Sequence, residues 1–168
     1  MADDERFTRP ATWEDVIRLA ELFAKHGVAW ALIGGYAIAA HGFVRFSEDV
    51  DVLVDPSPEN ARRWIAALSE LPDHAARDLA GQERLFVDEG PYAIRVNDEF
   101  TVDVMPAACG HGWEELAPHI EAREVDGVAI PVLGLAGLLL TKQGMRDRDR
   151  ADAAVLRAAL ERLRGESG

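Results

Sequence analysis

The chain has 168 residues, 48% hydrophobic and 29% charged, which places it in the ordinary globular range at a length that suits one domain with a buried core. Its 30 acidic residues against 18 basic ones leave a formal net charge of −12, so a nucleic-acid backbone would be repelled except at a local basic cluster. The lone Cys109 excludes an intramolecular disulfide, the apolar run 130–140 is too short and too broken by Pro131, Gly134 and Gly137 to span a bilayer, and the opening Met-Ala-Asp-Asp-Glu-Arg carries no secretion signal; a soluble protein of the reducing cytoplasm is expected.

Residues 1–10 are polar and lack apolar periodicity, so they are expected to form a flexible leader to a single domain over 11–168, whose part 133–168 is helical. Thr12 suits a helix N-cap; Val16, Leu19, Ala20 and Phe23 follow at helical spacing, and Gly27 stops the run. Residues 28–33 are apolar and end in Gly34-Gly35, as in a buried strand entering a tight turn and then a small-residue helical segment over 36–41. Residues 49–55 alternate carboxylate and branched apolar side chains, which predicts a strand with Val50, Val52 and Val54 on one face and Asp49 and Asp51 on the other. Beyond Pro56 and Pro58, the stripe Trp64, Ile65, Leu68, Leu71 predicts a helix ending at Pro72.

Further strands are expected at 85–87, 92–96 and 100–105, with Asn97-Asp98-Glu99 as a hairpin turn between the last two. Residues 107–112 read as a small-residue loop and 113–119 as a short helix, and Asp126-Gly127 marks a hairpin between 122–125 and 128–131. Two helices close the chain, over 135–143 and 148–164, the second with Val155, Leu156, Ala159, Leu160 and Leu163 facing inward. The order implies an α+β (α/β) fold with a mixed, partly antiparallel sheet flanked by helices.

Asp49 and Asp51 carry the clearest chemical signal, because residues two apart in a strand share a face and their carboxylates repel unless a positive charge lies between them. A divalent cation meets that need, and hard oxygen ligands suit Mg²⁺ held together with substrate phosphates. Asp103 lies in another predicted strand, where a buried acid is costly without a partner, and it becomes a third carboxylate of the site if the two strands are neighbours. Gly34-Gly35 allows backbone N–H groups close approach to phosphate oxygens, and Arg45 and Ser47 add donors just before the acidic pair.

The run Leu32-Ile-Gly-Gly-Tyr-Ala-Ile-Ala-Ala-His-Gly-Phe-Val-Arg-Phe-Ser-Glu-Asp-Val-Asp-Val-Leu-Val54 resembles the signature of the polymerase-beta-like nucleotidyltransferase superfamily, in its small bacterial single-domain form. That pattern is a glycine pair, a short helix, often Arg-x-Ser/Thr, then Asp-hydrophobic-Asp-hydrophobic, with a third acid on a later strand. The resemblance implies that Gly34, Gly35, Arg45 and Ser47 hold the nucleotide phosphates and that Asp49 and Asp51 bind metal, with Asp103 as the third acid, either ligand or proton acceptor. It implies Mg²⁺, in a two-metal arrangement with Mn²⁺ as a substitute, and a nucleoside triphosphate as donor. The ending Leu140-Thr-Lys-Gln-Gly-Met-Arg-Asp-Arg-Asp-Arg-Ala-Asp152 also resembles such members: Lys142 is expected at the β/γ-phosphates with Arg146 in support, while Asp149 and Asp152 orient these cations.

Arg146, Arg148 and Arg150 form the strongly basic stretch of an otherwise acidic chain. Cys109 and His111 complete no zinc arrangement, and His41 reads as a helix-end residue that packs the fold. Trp30, Trp64 and Trp113 read as core, and no Gly-x-x-x-x-Gly-Lys-Ser/Thr loop is present. The function expected is transfer of a nucleoside monophosphate to an acceptor hydroxyl with release of pyrophosphate. A small-molecule acceptor suits the acidic surface; the alternatives are a toxin-like enzyme acting on protein or tRNA, and a non-catalytic nucleotide-binding or interaction domain of the same fold.

Overall fold

A computed structural model describes residues 8–43, 47–90, 92–142 and 147–167. Helix α1, Trp13–His26, begins where the Thr12 backbone N–H donates to the Asp15 carboxylate at 2.8 Å and ends at Gly27. Its buried stripe is the one its spacing predicted, with Val16, Leu19 and Phe23 fully enclosed and the Phe23 ring edge-on to Trp30 at 4.9 Å between centroids. Strand β1, Trp30–Ile33, is buried along its whole length and runs into the short helix α2, Gly34–Ala40. Strand β2, Val50–Val54, returns antiparallel to β1. Ser57 caps helix α3, Pro58–Leu68, and the buried Asn60 bonds both Ala29 backbone groups and the Asp55 carbonyl, tying the entry of β1 to the exit of β2.

A 3₁₀ turn, Ala75–Leu79, precedes a correction: residues 85–87 lie not in a strand but in the one-turn helix α4, Leu85–Asp88. Its three apolar residues are too few to show a period, and only Phe86 is buried, stacked near Trp64, while Val87 points to solvent. Strands β3, Ile94–Asn97, and β4, Thr101–Met105, form the expected hairpin, Asn97 opposite Thr101. Asp98 inside that turn is buried because its carboxylate accepts the backbone N–H groups of Asp73, Ala75 and Glu99.

The segment expected as a plain loop folds into a minimal hairpin of β5, Ala107–Ala108, and β6, His111–Gly112, reversing at Cys109-Gly110. Helix α5, Trp113–Leu116, and a 3₁₀ turn lead to β7, Ile120–Val125, and β8, Val128–Leu133, which pair across Asp126-Gly127 as expected. Helix α6, Leu135–Leu140, and helix α7, Asp147–Ser167, pack on one another at the end of the chain. The inward face of α7 needs correction: Ala153 and Leu156 are buried, Ala159 and Leu160 partly so, whereas Val155 and Leu163 are exposed.

The six long strands form one mixed sheet in the order β3-β4-β2-β1-β8-β7, with β2–β4 and β1–β8 parallel and the other pairs antiparallel. Thr8 and Arg9 are held by the β3–β4 turn: the Thr8 hydroxyl donates to the Asp98 carbonyl and the Arg9 N–H to the Glu99 carbonyl. The Arg9 guanidinium reaches further, to Asp15 and Glu99. Among the described residues no helix is long and apolar enough to cross a membrane.

Candidate active site

The sheet order brings the carboxylates together. Strands β2 and β4 are parallel neighbours with Asp51 in register with Asp103, and β3 places Arg95 in register with Asp103 from the other side. Adjacent strands lie about 4.8 Å apart, so side chains in register on one face touch. Asp49 sits just before β2, two residues from Asp51. The Arg95 guanidinium lies across the group: Nε donates to Asp103 Oδ1 at 2.9 Å, and Nη2 to Asp103 Oδ2 at 3.2 Å and to Asp49 Oδ2 at 3.3 Å.

Three acids in this space cannot all be comfortably ionised. Burial first, then the neighbouring charges of Asp103 and Asp49, push the Asp51 carboxyl up to about 7, with the positive charge of Lys142 opposing the rise. Burial and Asp103 also raise the more exposed Asp49 above the usual carboxylate range, while Arg95 pulls it back.

Gly34 fits against this group so tightly that a Cβ there would lie 2.3 Å from Asp51 Oδ2 and 3.0 Å from both Asp51 Cβ and Cγ. Its backbone is also left-handed, φ +70°, so both the turn and the contact require glycine. Gly35 is buried beside it at the start of α2. The Ser47 hydroxyl donates to the Asp49 carbonyl at 2.9 Å, fixing the backbone on the way into β2. Lys142, just past α6, is 9% exposed and its Nζ lies 3.3 Å from Asp152 Oδ2 on α7, so the pairing expected of Asp152 is present. Arg45, Arg146 and the side chains of Arg148 and Asp149 lie outside the described residues, and Arg150 is exposed.

Arg95 was not singled out from the sequence. Counting outward from the hairpin turn at Asn97 sets it opposite Asp103, and that register was the available signal. His41 packs the fold as expected: its side chain is 2% exposed, Nε2 meets the Leu133 carbonyl at 3.0 Å, and Arg123 Nη2 donates to Nδ1 at 3.0 Å. His111 pairs with Glu115 and Cys109 is exposed, away from any metal-ligating set. Among the described residues no three His, Cys, Asp or Glu side chains stand as a ready metal cage, and at the Asp49–Asp103 pair the intervening cation is Arg95. A cavity of about 890 Å³ opens beside Asp49, walled in part by Glu48, Asp49, Asp73 and Arg9.

Residues 15–156 match the sequence profile of the family described as aminoglycoside-2''-adenylyltransferase. Among solved structures the chain is similar to lincomycin-bound LnuA, a lincosamide antibiotic adenylyltransferase, with a TM-score of 0.52 and 13% identity over 88% of this chain and 98% of that one. At that identity the likeness speaks for the fold, which is that of a nucleotidyltransferase. No curated protein matches the chain.

Proposed function

The chain belongs to the aminoglycoside-2''-adenylyltransferase family and is a nucleotidyltransferase, and from that premise we propose that it moves a nucleoside monophosphate, with ATP as donor, to a hydroxyl of a small cationic antibiotic-like acceptor, releasing pyrophosphate. The observation that carries this reading is the meeting of Asp49 and Asp51, at the start of β2, with Asp103, in the middle of β4, and Gly34 pressed against Asp51. The donor set fits Mg²⁺ or Mn²⁺: it is all carboxylate oxygen, and burial beside Asp103 leaves Asp51 short of positive charge.

Asp49 and Asp51, with Asp103, would hold the cation, which when bound supplies charge neutralisation at the reacting phosphorus and its leaving oxygens. Gly34 and Gly35 bring the backbone beside these acids, where the triphosphate has to lie, and Ser47 fixes the approach of Asp49. Lys142, anchored by Asp152, adds a fixed positive charge near Asp51 for the outgoing phosphates. Asp103 is positioned either to complete the carboxylate set or to accept the proton of the acceptor hydroxyl. The acidic cavity beside Asp49 has the charge to draw a polyamino acceptor toward the site.

The test is release of pyrophosphate from ATP and Mg²⁺ against a panel of aminoglycosides, lincosamides and uncharged polyols, with product mass giving the transferred group. Turnover with the cationic compounds, lost in Asp49→Asn, Asp51→Asn and Asp103→Asn, supports the reading. No pyrophosphate from wild type with any nucleotide or acceptor overturns it in favour of a non-catalytic domain.

A further inference from the structure

The guanidinium of Arg95 makes three charge-assisted contacts to two acids of the site, a two-pronged bond to Asp103 and a single one to Asp49. It does so from a side chain that is 60% exposed, at the free edge of the sheet, while Asp103 beneath it is only 13% exposed. Among the described residues its polar partners are these two acids, and more than half of its side chain already faces solvent. The acids it bridges are the ones the proposed function assigns to a divalent cation, and a guanidinium spanning Asp49 and Asp103 already neutralises them and repels a dication entering between them.

We propose that Arg95 is a resident counter-ion that competes with the divalent cation for Asp49 and Asp103, so that metal entry displaces its guanidinium from the site. Arg95 is thus a positioning residue: it keeps the carboxylates together in the metal-free protein and sets the cation concentration at which the site loads. This rests on the metal reading above.

The experiment is titration of Mn²⁺ into metal-free protein, with free Mn²⁺ followed by electron paramagnetic resonance, for wild type, Arg95→Gln, Arg95→Lys, Asp51→Asn and Arg63→Gln. Arg63 lies on the exposed side of α3, paired with Glu59, and serves as a control for loss of one positive charge. Arg95→Gln is expected to bind Mn²⁺ about threefold to tenfold more tightly than wild type, Arg95→Lys to fall between because it keeps the charge and loses the fork, and Arg63→Gln to match wild type. On Mg²⁺ addition the Arg95 Nε–H resonance of wild type should move toward that of a free arginine.

Equal or weaker Mn²⁺ binding by Arg95→Gln, or an Nε–H resonance that stays put while metal binds, overturns the competition and leaves the metal site standing. No Mn²⁺ binding by wild type or Arg95→Gln, with a non-hydrolysable triphosphate absent or present, removes the metal site itself and the competition with it.

Discussion

Gly34 and Gly27 offer a matched pair for testing how the site depends on its glycine. Both have left-handed backbones, φ +70° and φ +68°, but a Cβ on Gly27 would meet nothing within 4 Å, whereas one on Gly34 would strike Asp51 Oδ2 at 2.3 Å. Gly27→Ala therefore isolates the backbone cost of holding an L-residue in that region, about 1–2 kcal/mol. In a chain of this length that is a fall in Tm of roughly 2–8 °C. Gly34→Ala carries the same cost plus the collision. Relieving a 2.3 Å contact means moving the Asp51 carboxylate by about 1 Å, and a displacement of that size at a reacting centre costs on the order of a hundredfold in rate.

Urea unfolding and pyrophosphate-release kinetics on both variants separate the two effects. Gly27→Ala should keep wild-type kcat/KM at reduced stability, and Gly34→Ala should lose about a hundredfold or more in kcat/KM while remaining folded. Wild-type turnover in Gly34→Ala would refute the reasoning, since Asp51 would then tolerate the displacement or take no part.

The raised Asp51 carboxyl predicts a pH slope. Its folded value of about 7 stands above the ordinary 3.8, so the folded state binds more protons between those values, and metal-free stability falls as pH rises from about 4 to about 7. Asp51→Asn removes that slope and gains on wild type by on the order of a few kcal/mol between pH 4 and pH 8, read from urea midpoints in chelator. Arg9→Ala should cost about 1–2 kcal/mol at pH 7, because among the described residues it leaves the buried Asp15 with the longer contact from Arg18 as its remaining cationic partner, beside the neutral donors of Thr12. Burial alone would raise the Asp15 carboxyl, yet Arg9 and Thr12 hold it below its ordinary value; this contribution is present above about pH 4 and disappears as pH falls further, so Arg9→Ala and wild type should converge in acid. Lys142→Met should raise KM for ATP about tenfold or more, by removing the fixed charge near Asp51; an unchanged KM would take Lys142 out of the phosphate site.

Much of the fold was legible because alternation and helical spacing are strong where elements are long. The stripe of α1, the Asp/Val alternation of β2 and both hairpin turns, at 97–99 and at Asp126-Gly127, read directly. Residues 85–87 did not, since three apolar residues fit a helical turn as well as a strand. In α7 several apolar residues are spread around the helix, and only the packing against α6 decides that Leu156 turns inward and Val155 outward. At the site, each carboxylate could be picked out from its own strand pattern, but their meeting depends on β2 and β4 being parallel neighbours, a long-range choice that no local pattern encodes. Arg95 escaped notice because its role is set by register with Asp103 and not by any motif.

The order of strands in the sheet also bears on how the chain is made. Strand β1 is flanked by β2 on one side and by β8 on the other, and β8 begins only at Val128. During synthesis all three carboxylates have been produced by Asp103, yet the second edge of β1, with its apolar Trp30, Ala31, Leu32 and Ile33, stays unpaired until some thirty further residues have left the ribosome. An open apolar edge is a template for pairing with another chain. A nascent or truncated product ending near residue 106 would thus own the acids of the site and still be prone to self-association, so β8 acts as the built-in guard of the strand that leads to Gly34.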